Sequence, residues 1–277
     1  MSRTITLLSL LLLYAPKLLQ GQQVVFANMQ NVRASGMSNT VMTISNPINF
    51  TSNPSGIPDI VHSLVSIQSK PYTFTSGLYS VAGSVLYKFK PQQGFGFKWQ
   101  AEGSKELNEH ILGLCYGRKL GKSSSMALGL NYFIRNLPES KTENAFVPEL
   151  SILSALSKTL SAAALVIYPI PVKIKNNTPL PTVIRLGIGY LLNSKFNIQL
   201  EAHKTSLIPV SINLGMEYIP VKNIALRSGC NTDGKFSFGF GFQYKENLFL
   251  DASMEQYPLI GTAIGFGLNY LIFTNPN

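Results

Sequence analysis

Phe236-Ser-Phe-Gly-Phe-Gly-Phe-Gln-Tyr244 alternates an aromatic residue with a small or polar one along its whole length. Because successive side chains of a strand point to opposite faces, one face carries only rings and the other carries Ser237, Gly239, Gly241 and Gln243. Transmembrane barrels place apolar side chains towards lipid and small or polar side chains towards the lumen. The stretch therefore predicts a barrel strand.

The same pattern, a large apolar residue, Gly, a large apolar residue, any residue and Tyr, recurs along the chain. It occurs at residues 112–116, 128–132, 186–190, 214–218, 240–244 and 266–270. Repetition with a constant position of Tyr is typical of hairpin arrays.

Composition agrees with a barrel. The chain has 277 residues, of which 45% are hydrophobic and only 13% are charged, about half the usual charged fraction. After the N-terminus, no stretch approaches the about 18 apolar residues of a spanning helix. Alternation, rather than a continuous apolar run, is how a barrel dilutes its apolar residues.

The N-terminus has the features of an export signal. Arg3 is followed by the apolar run 7–14, and Leu19-Gln20-Gly21 is an acceptable cleavage site. We expect a signal peptide over residues 1–21, an N-terminal plug-like segment over 22–60 and a transmembrane barrel over 61–277. Removing the signal peptide takes away Arg3 and Lys17, which lowers the formal charge from +10 to +8.

About fourteen segments from residue 61 onward have the length of tilted membrane-crossing strands. They are 61–69, 79–89, 94–102, 110–120, 125–135, 147–156, 160–168, 182–192, 196–204, 210–220, 224–230, 236–244, 248–254 and 262–272. The predicted fold is an all-β, antiparallel transmembrane barrel with an N-terminal segment in the lumen.

The connections sort by length. Those after even-numbered strands are short, whereas those after odd-numbered strands are longer at residues 70–78, 103–109, 136–146 and 169–181. Bacterial barrels have short periplasmic turns and longer outer loops, so the short connections are predicted to face the periplasm. An aromatic girdle at the periplasmic interface is then expected from Tyr116, Tyr190, Tyr218, Tyr244 and Tyr270. Tyr132 is expected at the opposite rim.

Lysines collect at the short connections. They are Lys88, Lys90, Lys119, Lys122, Lys158, Lys195, Lys222 and Lys245. One hypothesis is a basic rim that meets lipid phosphates or a periplasmic partner. The alternative is that these lysines only keep the turns soluble.

Alternation also predicts which charged side chains face the lumen. These are Lys98, Arg135, Arg185, Glu201, Glu217, Arg227, Asp251 and Glu255. Because both signs are interspersed, we expect salt bridges around a plug, with substrate binding as the alternative interpretation.

The sequence lacks the common arrangements of catalytic or metal-binding residues. His62, His110 and His203 lie in separate strand candidates without metal-ligand spacing. Phosphate-loop and Gly-x-Ser-x-Gly motifs are absent. Cys115 and Cys230 do not define a disulfide framework. We expect a non-enzymatic protein without catalytic residues, cofactor, metal or nucleic-acid partner.

The segment 31–57 carries Asn-Val-Arg-Ala-Ser-Gly-Met and then Asn-Pro-Ser-Gly-Ile. It resembles the opening signature G-A-R-x-x-G-M-G-x-A and N-P-A-G-L of the long-chain fatty-acid transporter (FadL) class and of the PorV and PorQ proteins of type IX secretion. The matching residues are Arg33, Gly36, Met37, Asn53, Pro54 and Gly56; the chain departs at Asn31, Ser38 and Ser55.

The resemblance implies a plug inside an outer-membrane barrel from a Bacteroidota-type bacterium. It favours a PorV/PorQ-like component of protein secretion or cell-surface assembly, whose partners would be outer-membrane lipid, lipopolysaccharide and a periplasmic or secretion-system protein. A FadL-like passive channel for hydrophobic small molecules is the first alternative. A secreted, adhesive β-rich protein is the second.

Overall fold

The computed structural model describes residues 31–73, 77–104, 107–136, 142–173, 180–206, 208–258 and 261–272. The predicted signal peptide, the first part of the predicted plug segment and the residues after Ile272 lie outside the described residues. Within them, no helix is long and apolar enough to cross a membrane.

Fifteen strands form one antiparallel sheet. They are β1 (Ser63–Pro71), β2 (Tyr79–Lys90), β3 (Gln93–Gly103), β4 (Asn108–Lys119), β5 (Ser124–Asn136), β6 (Glu143–Ala155), β7 (Leu160–Ile167), β8 (Ile170–Lys173), β9 (Val183–Asn193), β10 (Phe196–Thr205), β11 (Ile208–Val221), β12 (Ile224–Asn231), β13 (Phe236–Tyr244), β14 (Leu248–Tyr257) and β15 (Gly261–Ile272).

The sheet closes on itself. The first and last strands pair from Ser63 opposite Ile272 to Ser69 opposite Phe266. Both β7 and β8 pair with β6, with Ile167 opposite Glu149 and Ile170 opposite Phe146, so they form one interrupted barrel strand. The predicted fourteen-strand antiparallel barrel is thereby confirmed.

The interruption corrects one expectation. Residues 170–173 were predicted to lie in the long connection 169–181, and Pro169 and Pro171 lack the N–H that a strand ladder uses. In the structure they continue the pairing with β6 after a break at Tyr168 and Pro169. A strand edge tolerates proline, and β8 pairs with β6 alone among the described residues.

The two ends of the barrel differ less than the sequence suggested. One end, the turn end, carries connections 91–92, 120–123, 156–159, 194–195, 222–223 and 245–247. The other, the loop end, carries the predicted long connections in the first half of the barrel, but 206–207, 232–235 and 258–260 are short. The 136–146 connection is also shorter than predicted, because β6 begins at Glu143, which lies opposite Arg135 and bonds to it.

The strand faces alternate as the aromatic stretch indicated. Phe236 and Phe238 are 57% and 55% exposed, whereas Ser237 between them is fully buried. Large apolar side chains such as Leu114 and Leu186 are exposed in the same way on other strands. The outer wall is thus apolar, as contact with lipid requires.

Residues 31–60, here called the plug, lie inside the barrel. They contain the short helix α1 (Val32–Ser35) and two 3-10 helices at Pro47–Thr51 and Pro54–Asp59. Helix α1 contacts β13, β14, β15 and β1, while the second 3-10 helix contacts β3 to β6. Most plug residues are buried, including Met37, Phe50 and Ile57.

A closed sheet with a filled lumen should resist detergent until it is heated. We expect the mature protein, extracted from outer membranes, to migrate differently in SDS gels before and after boiling. Protein boiled in urea provides the unfolded reference. Identical mobility of the unboiled and boiled samples would contradict a closed barrel.

Candidate functional site: the plugged lumen

Glycines on the inner face make room for the plug. A Cβ atom on Gly36 would lie 2.7 Å from the Gly239 Cα, so the two backbones touch directly. Cβ atoms on Gly96 and Gly215 would similarly meet the Phe50 ring at 2.5 Å and the Met37 carbonyl oxygen at 2.7 Å. Only glycine permits such close approach of the plug to the wall.

A chain of buried ion pairs ties the plug to the barrel. The Arg33 Nη2 atom donates to Glu217 Oε1 at 2.5 Å, and Arg227 Nε donates to Glu217 Oε2 at 2.7 Å. Arg227 Nη1 donates to Asp251 Oδ1 at 2.6 Å. Burial lowers the pKa of Arg33, and the adjacent Glu217 opposes that shift. Opposite charges therefore compensate one another inside the lumen.

The chain of polar contacts continues back to the plug. Asn269 Nδ2 donates to Asp251 Oδ2 at 3.0 Å, and Ser66 Oγ donates to Asn269 Oδ1 at 2.6 Å. Gln68 Nε2 donates to Ser66 Oγ at 3.2 Å, and Gln68 Oε1 accepts from the Val32 backbone N–H at 2.5 Å. This series of contacts, here called the polar ring, runs from Arg33 to Val32, two neighbouring plug residues. It crosses the seam where β15 pairs with β1.

A second polar group holds the middle of the plug. Arg185 Nη2 donates to Glu201 Oε2 and to the Asn39 carbonyl oxygen, both at 2.7 Å. The Met42 N–H donates to Glu201 Oε1 at 2.7 Å. Thr43 donates to Gln199, and Asn213 Nδ2 donates to the Ser38 carbonyl oxygen at 2.8 Å.

The remaining predicted lumen charges also have partners, and sequence reasoning missed those partners. They are Lys98 with Glu149 at 2.7 Å, Arg135 with Glu109 at 2.7 Å and Glu143 at 3.4 Å, and Glu255 with Lys235 at 2.8 Å and Lys70 at 3.2 Å. Glu149 has the same strand phase as Val147 and Ser151, so alternation could have revealed it. The pairing itself depends on register across strands.

Part of the inner face is apolar, which sequence reasoning did not predict. A smaller cluster of wall residues, Leu64, Leu86, Cys115 and Leu271, packs on the plug. A larger one, here called the apolar wall, shares its strands with the ion pairs of Glu149 and Arg135. This apolar wall comes from β4, β5, β6, β7 and β9 and consists of Ile111, Phe133, Ala145, Val147, Leu165, Ile167 and Val183. Its residues alternate with exposed neighbours such as Phe146 and Val166, which places them on the inner face. The side chain of Met42 packs against this wall.

The residues of the opening signature all lie in the plug. Asn53 caps the second 3-10 helix through Oδ1, which accepts from the Ser55 N–H at 3.2 Å, and its Nδ2 donates to the Met42 carbonyl oxygen at 2.6 Å. Pro54 begins that helix, and Gly56 faces Ser45.

The positions that depart from the signature also make contacts. Asn31 caps α1, while the Ser38 and Ser55 N–H groups donate to Ser237 Oγ at 2.8 Å and Ser151 Oγ at 3.1 Å. The signature has Gly or Ala at these three positions. In this chain each of them makes a hydrogen bond, through its side chain or its backbone N–H.

The predicted girdle tyrosines lie near the turn end. Tyr190, Tyr218, Tyr244 and Tyr270 are exposed on the outer wall, and Tyr116 is half-buried with its hydroxyl donating to Gln93 Oε1 at 2.7 Å. Tyr132 lies towards the loop end and packs against Phe146. The cysteines do not meet, since both are free and sit on β4 and β12.

Across the described part of the chain, no cluster of His, Cys, Asp and Glu could hold a metal ion. The buried carboxylates are instead bonded to Arg, Lys, amide or backbone groups. Taken together, the closed barrel, its apolar outer wall and its ion-paired plug define a plugged transmembrane β-barrel.

Solved structures of hydrocarbon transporters share this architecture. The Ralstonia pickettii toluene transporter TbuX aligns with a TM-score of 0.69 at 10% identity, over 90% of this chain and 99% of the transporter. A Pseudomonas aeruginosa FadL homologue gives 0.66 at 9% identity, over 87% and 98%. The Pseudomonas putida toluene transporter TodX gives 0.65 at 9% identity, over 87% and 96%.

At such low identity these similarities establish the fold, which is that of FadL-like barrels. No protein-family model matches the chain, and no curated protein sequence matches it.

The close contact of Gly36 with Gly239 gives a sharp stability test. We expect Gly36→Ala to lower the free energy of unfolding by about 1–3 kcal/mol, because the new methyl group would collide with backbone. Gly56→Ala is the matched control, since its Cβ would lie 3.7 Å from the nearest atom, Ser45 Cα. Urea titration of the folded gel band measures both. Equal effects would contradict the packing.

Arg227 provides a test of the polar ring. We expect Arg227→Met to lower the free energy of unfolding by about 3–5 kcal/mol, because Asp251 and Glu217 lose a shared buried cation. Lys204→Met is the control, since Lys204 is exposed and donates to the Ile208 carbonyl oxygen rather than to a buried carboxylate, and a change within about 0.5 kcal/mol is expected. The same urea titration distinguishes them.

Proposed function

We propose that the protein is an outer-membrane channel for small hydrophobic molecules and that the plug closes it. The observation that carries the proposal is the apolar wall on the inner face of β4 to β9. A pore for hydrophilic solutes needs a polar lining, whereas ligand sites for apolar molecules are lined by hydrophobic side chains with a few polar groups. The shared fold with toluene transporters adds support.

The plug covers the apolar wall rather than leaving it open. Met42 packs on the wall through its side chain, while its backbone N–H donates to Glu201 on β10, the strand paired with β9. Movement of this segment would expose Phe133 and Val147 to the lumen. The buried charges are paired, so they do not form a single-sign lining that would select ions.

Residues 1–21 act as the export signal in this proposal, residues 22–60 form the plug segment and the barrel spans the outer membrane with its turn end in the periplasm. The exposed tyrosines near the turn end support that orientation, because aromatic side chains collect at membrane interfaces.

A second candidate function is a PorV/PorQ-like role in protein secretion or surface assembly. The filled lumen favours it, since most described plug residues are buried and many are bonded to or packed on the wall. In that case the protein moves no small molecule and instead binds a periplasmic or secretion-system protein.

A reversible lock on the plug separates the two candidates. Ser38 Oγ lies 3.0 Å from Ser237 Oγ, so Ser38→Cys with Ser237→Cys places two thiols where a disulfide can join plug and β13. Cys230→Ser in the same background removes the partly exposed native thiol. We expect oxidation to reduce uptake of radiolabelled toluene by intact cells to the level of cells lacking the protein, and reduction to restore it.

The single-cysteine variants are the controls and should be insensitive to oxidation. Uptake that is equal in the oxidised and reduced double variant, although a gel shift shows the disulfide, would contradict plug-gated transport. If wild-type cells also show no uptake above cells lacking the protein, and affinity capture from outer membranes recovers a secretion component, the second candidate replaces the first.

A further inference from the structure

Every connection at the turn end carries an exposed lysine in or directly beside it. These residues, here called the lysine belt, are Lys90, Lys122, Lys158, Lys195, Lys222 and Lys245. They are distributed around the circumference of the barrel. Each of the six connections joins a different pair of strands, and these pairs follow one another round the closed sheet. Exposed Arg118 adds to the same end.

Few acidic side chains offset the belt. Among the described residues of the turn end, Asp59 bonds to Lys119, which leaves Glu246 as the acidic neighbour of Lys245. Lys88 donates to the carbonyl oxygens of Ile57 at 3.2 Å and Pro58 at 3.3 Å, so it serves the plug rather than the belt. The described loop end instead exposes charges of both signs, at Lys204 and Asp233.

Aromatic side chains lie next to the belt on the outer wall. Lys245 Nζ lies 5.4 Å from the centre of the exposed Tyr244 ring, and the Phe89 ring beside Lys90 stacks on Phe95 with centroids 5.1 Å apart. Tyr218 pairs with Phe196, the residue after Lys195. Aromatic rings at the interface, with lysine ammonium groups extending beyond them, match the depth profile of a headgroup layer.

We propose that the lysine belt binds the phosphates of anionic phospholipids in the leaflet around the turn end. The even distribution of the lysines around the barrel favours lipid over a protein as the partner. A docked acidic protein would contact one arc of the rim and would favour cations concentrated there, whereas lipids surround the barrel on all sides. The inference requires that the barrel span a bilayer, but it does not depend on transport of any solute.

Lipid selectivity in reconstituted bilayers tests the belt directly. The full mature protein is placed in phosphatidylcholine bilayers containing a trace of spin-labelled phosphatidylglycerol or spin-labelled phosphatidylcholine. Electron spin resonance measures the fraction of each label immobilised at the protein surface. We expect roughly two- to fivefold preference for phosphatidylglycerol at low salt, which high salt removes because exposed charges are screened.

Two matched triple variants test the circumferential distribution. One carries Lys90→Gln, Lys122→Gln and Lys158→Gln, and the other carries Lys195→Gln, Lys222→Gln and Lys245→Gln. We expect each triple to reduce the preference by a similar factor and the combined variant to abolish it. Lys204→Gln at the loop end should leave it unchanged. The unboiled gel band confirms that each variant is folded.

Three results would overturn the proposal. The first is an equal immobilised fraction of the two lipids around the wild-type protein, and the second is a preference that survives in the combined variant. The third is loss of the whole preference in one triple alone, which would indicate a local patch.

Binding of soluble polyglutamate without any lipid preference would assign the belt to an acidic protein partner. Loss of lipid preference leaves toluene uptake intact, so failure here is distinguishable from failure of the channel.

Discussion

The contact of the Gly36 backbone with the Gly239 backbone sets the position of everything else in the lumen. Larger side chains on the inner wall would keep a luminal segment away from the wall and near the barrel axis. Glycine instead lets α1 lie directly on β13. At that distance Arg33 reaches Glu217 at 2.5 Å and Val32 reaches Gln68 at 2.5 Å. The inner glycines are therefore not gaps in the wall. They form the surface on which the plug packs, and they fix its position in the lumen.

Sequence periodicity predicted most of the strands and the inward side chains of several, because alternation decides which side chains face inwards. It placed Glu217, Arg227 and Asp251 on the inner face, where the structure has them. It could not pair them, since partners such as Arg33 and Glu217 are far apart in the chain. The apolar wall could not be predicted for a related reason. Ile111 and Phe133 alternate with outward residues like any strand residue, and their grouping depends on which strands are neighbours. The continuation at β8 was hidden by its prolines.

The plug meets the lumen through two kinds of contact. Directional hydrogen bonds and ion pairs join it to strands on several sides, among them Arg33 to Glu217 on β11, Arg185 on β9 to Asn39, and Ser55 to Ser151 on β6. The Met42 side chain instead packs on the apolar wall, where attraction has no preferred direction. Because its backbone N–H donates to Glu201, Met42 makes both kinds of contact. The Met42 side chain can therefore leave the apolar wall without breaking the ion pair of Arg33 with Glu217.

The seam between the first and last strands has a consequence for the order of assembly. The plug precedes β1 in the chain, yet α1 contacts β13, β14 and β15, and the Ser66 to Asn269 bond crosses the seam itself. The surface that receives α1 is incomplete until the C-terminal strands have been synthesised and paired. The contacts that hold α1 are therefore completed only late in biogenesis, together with the pairing of β1 and β15.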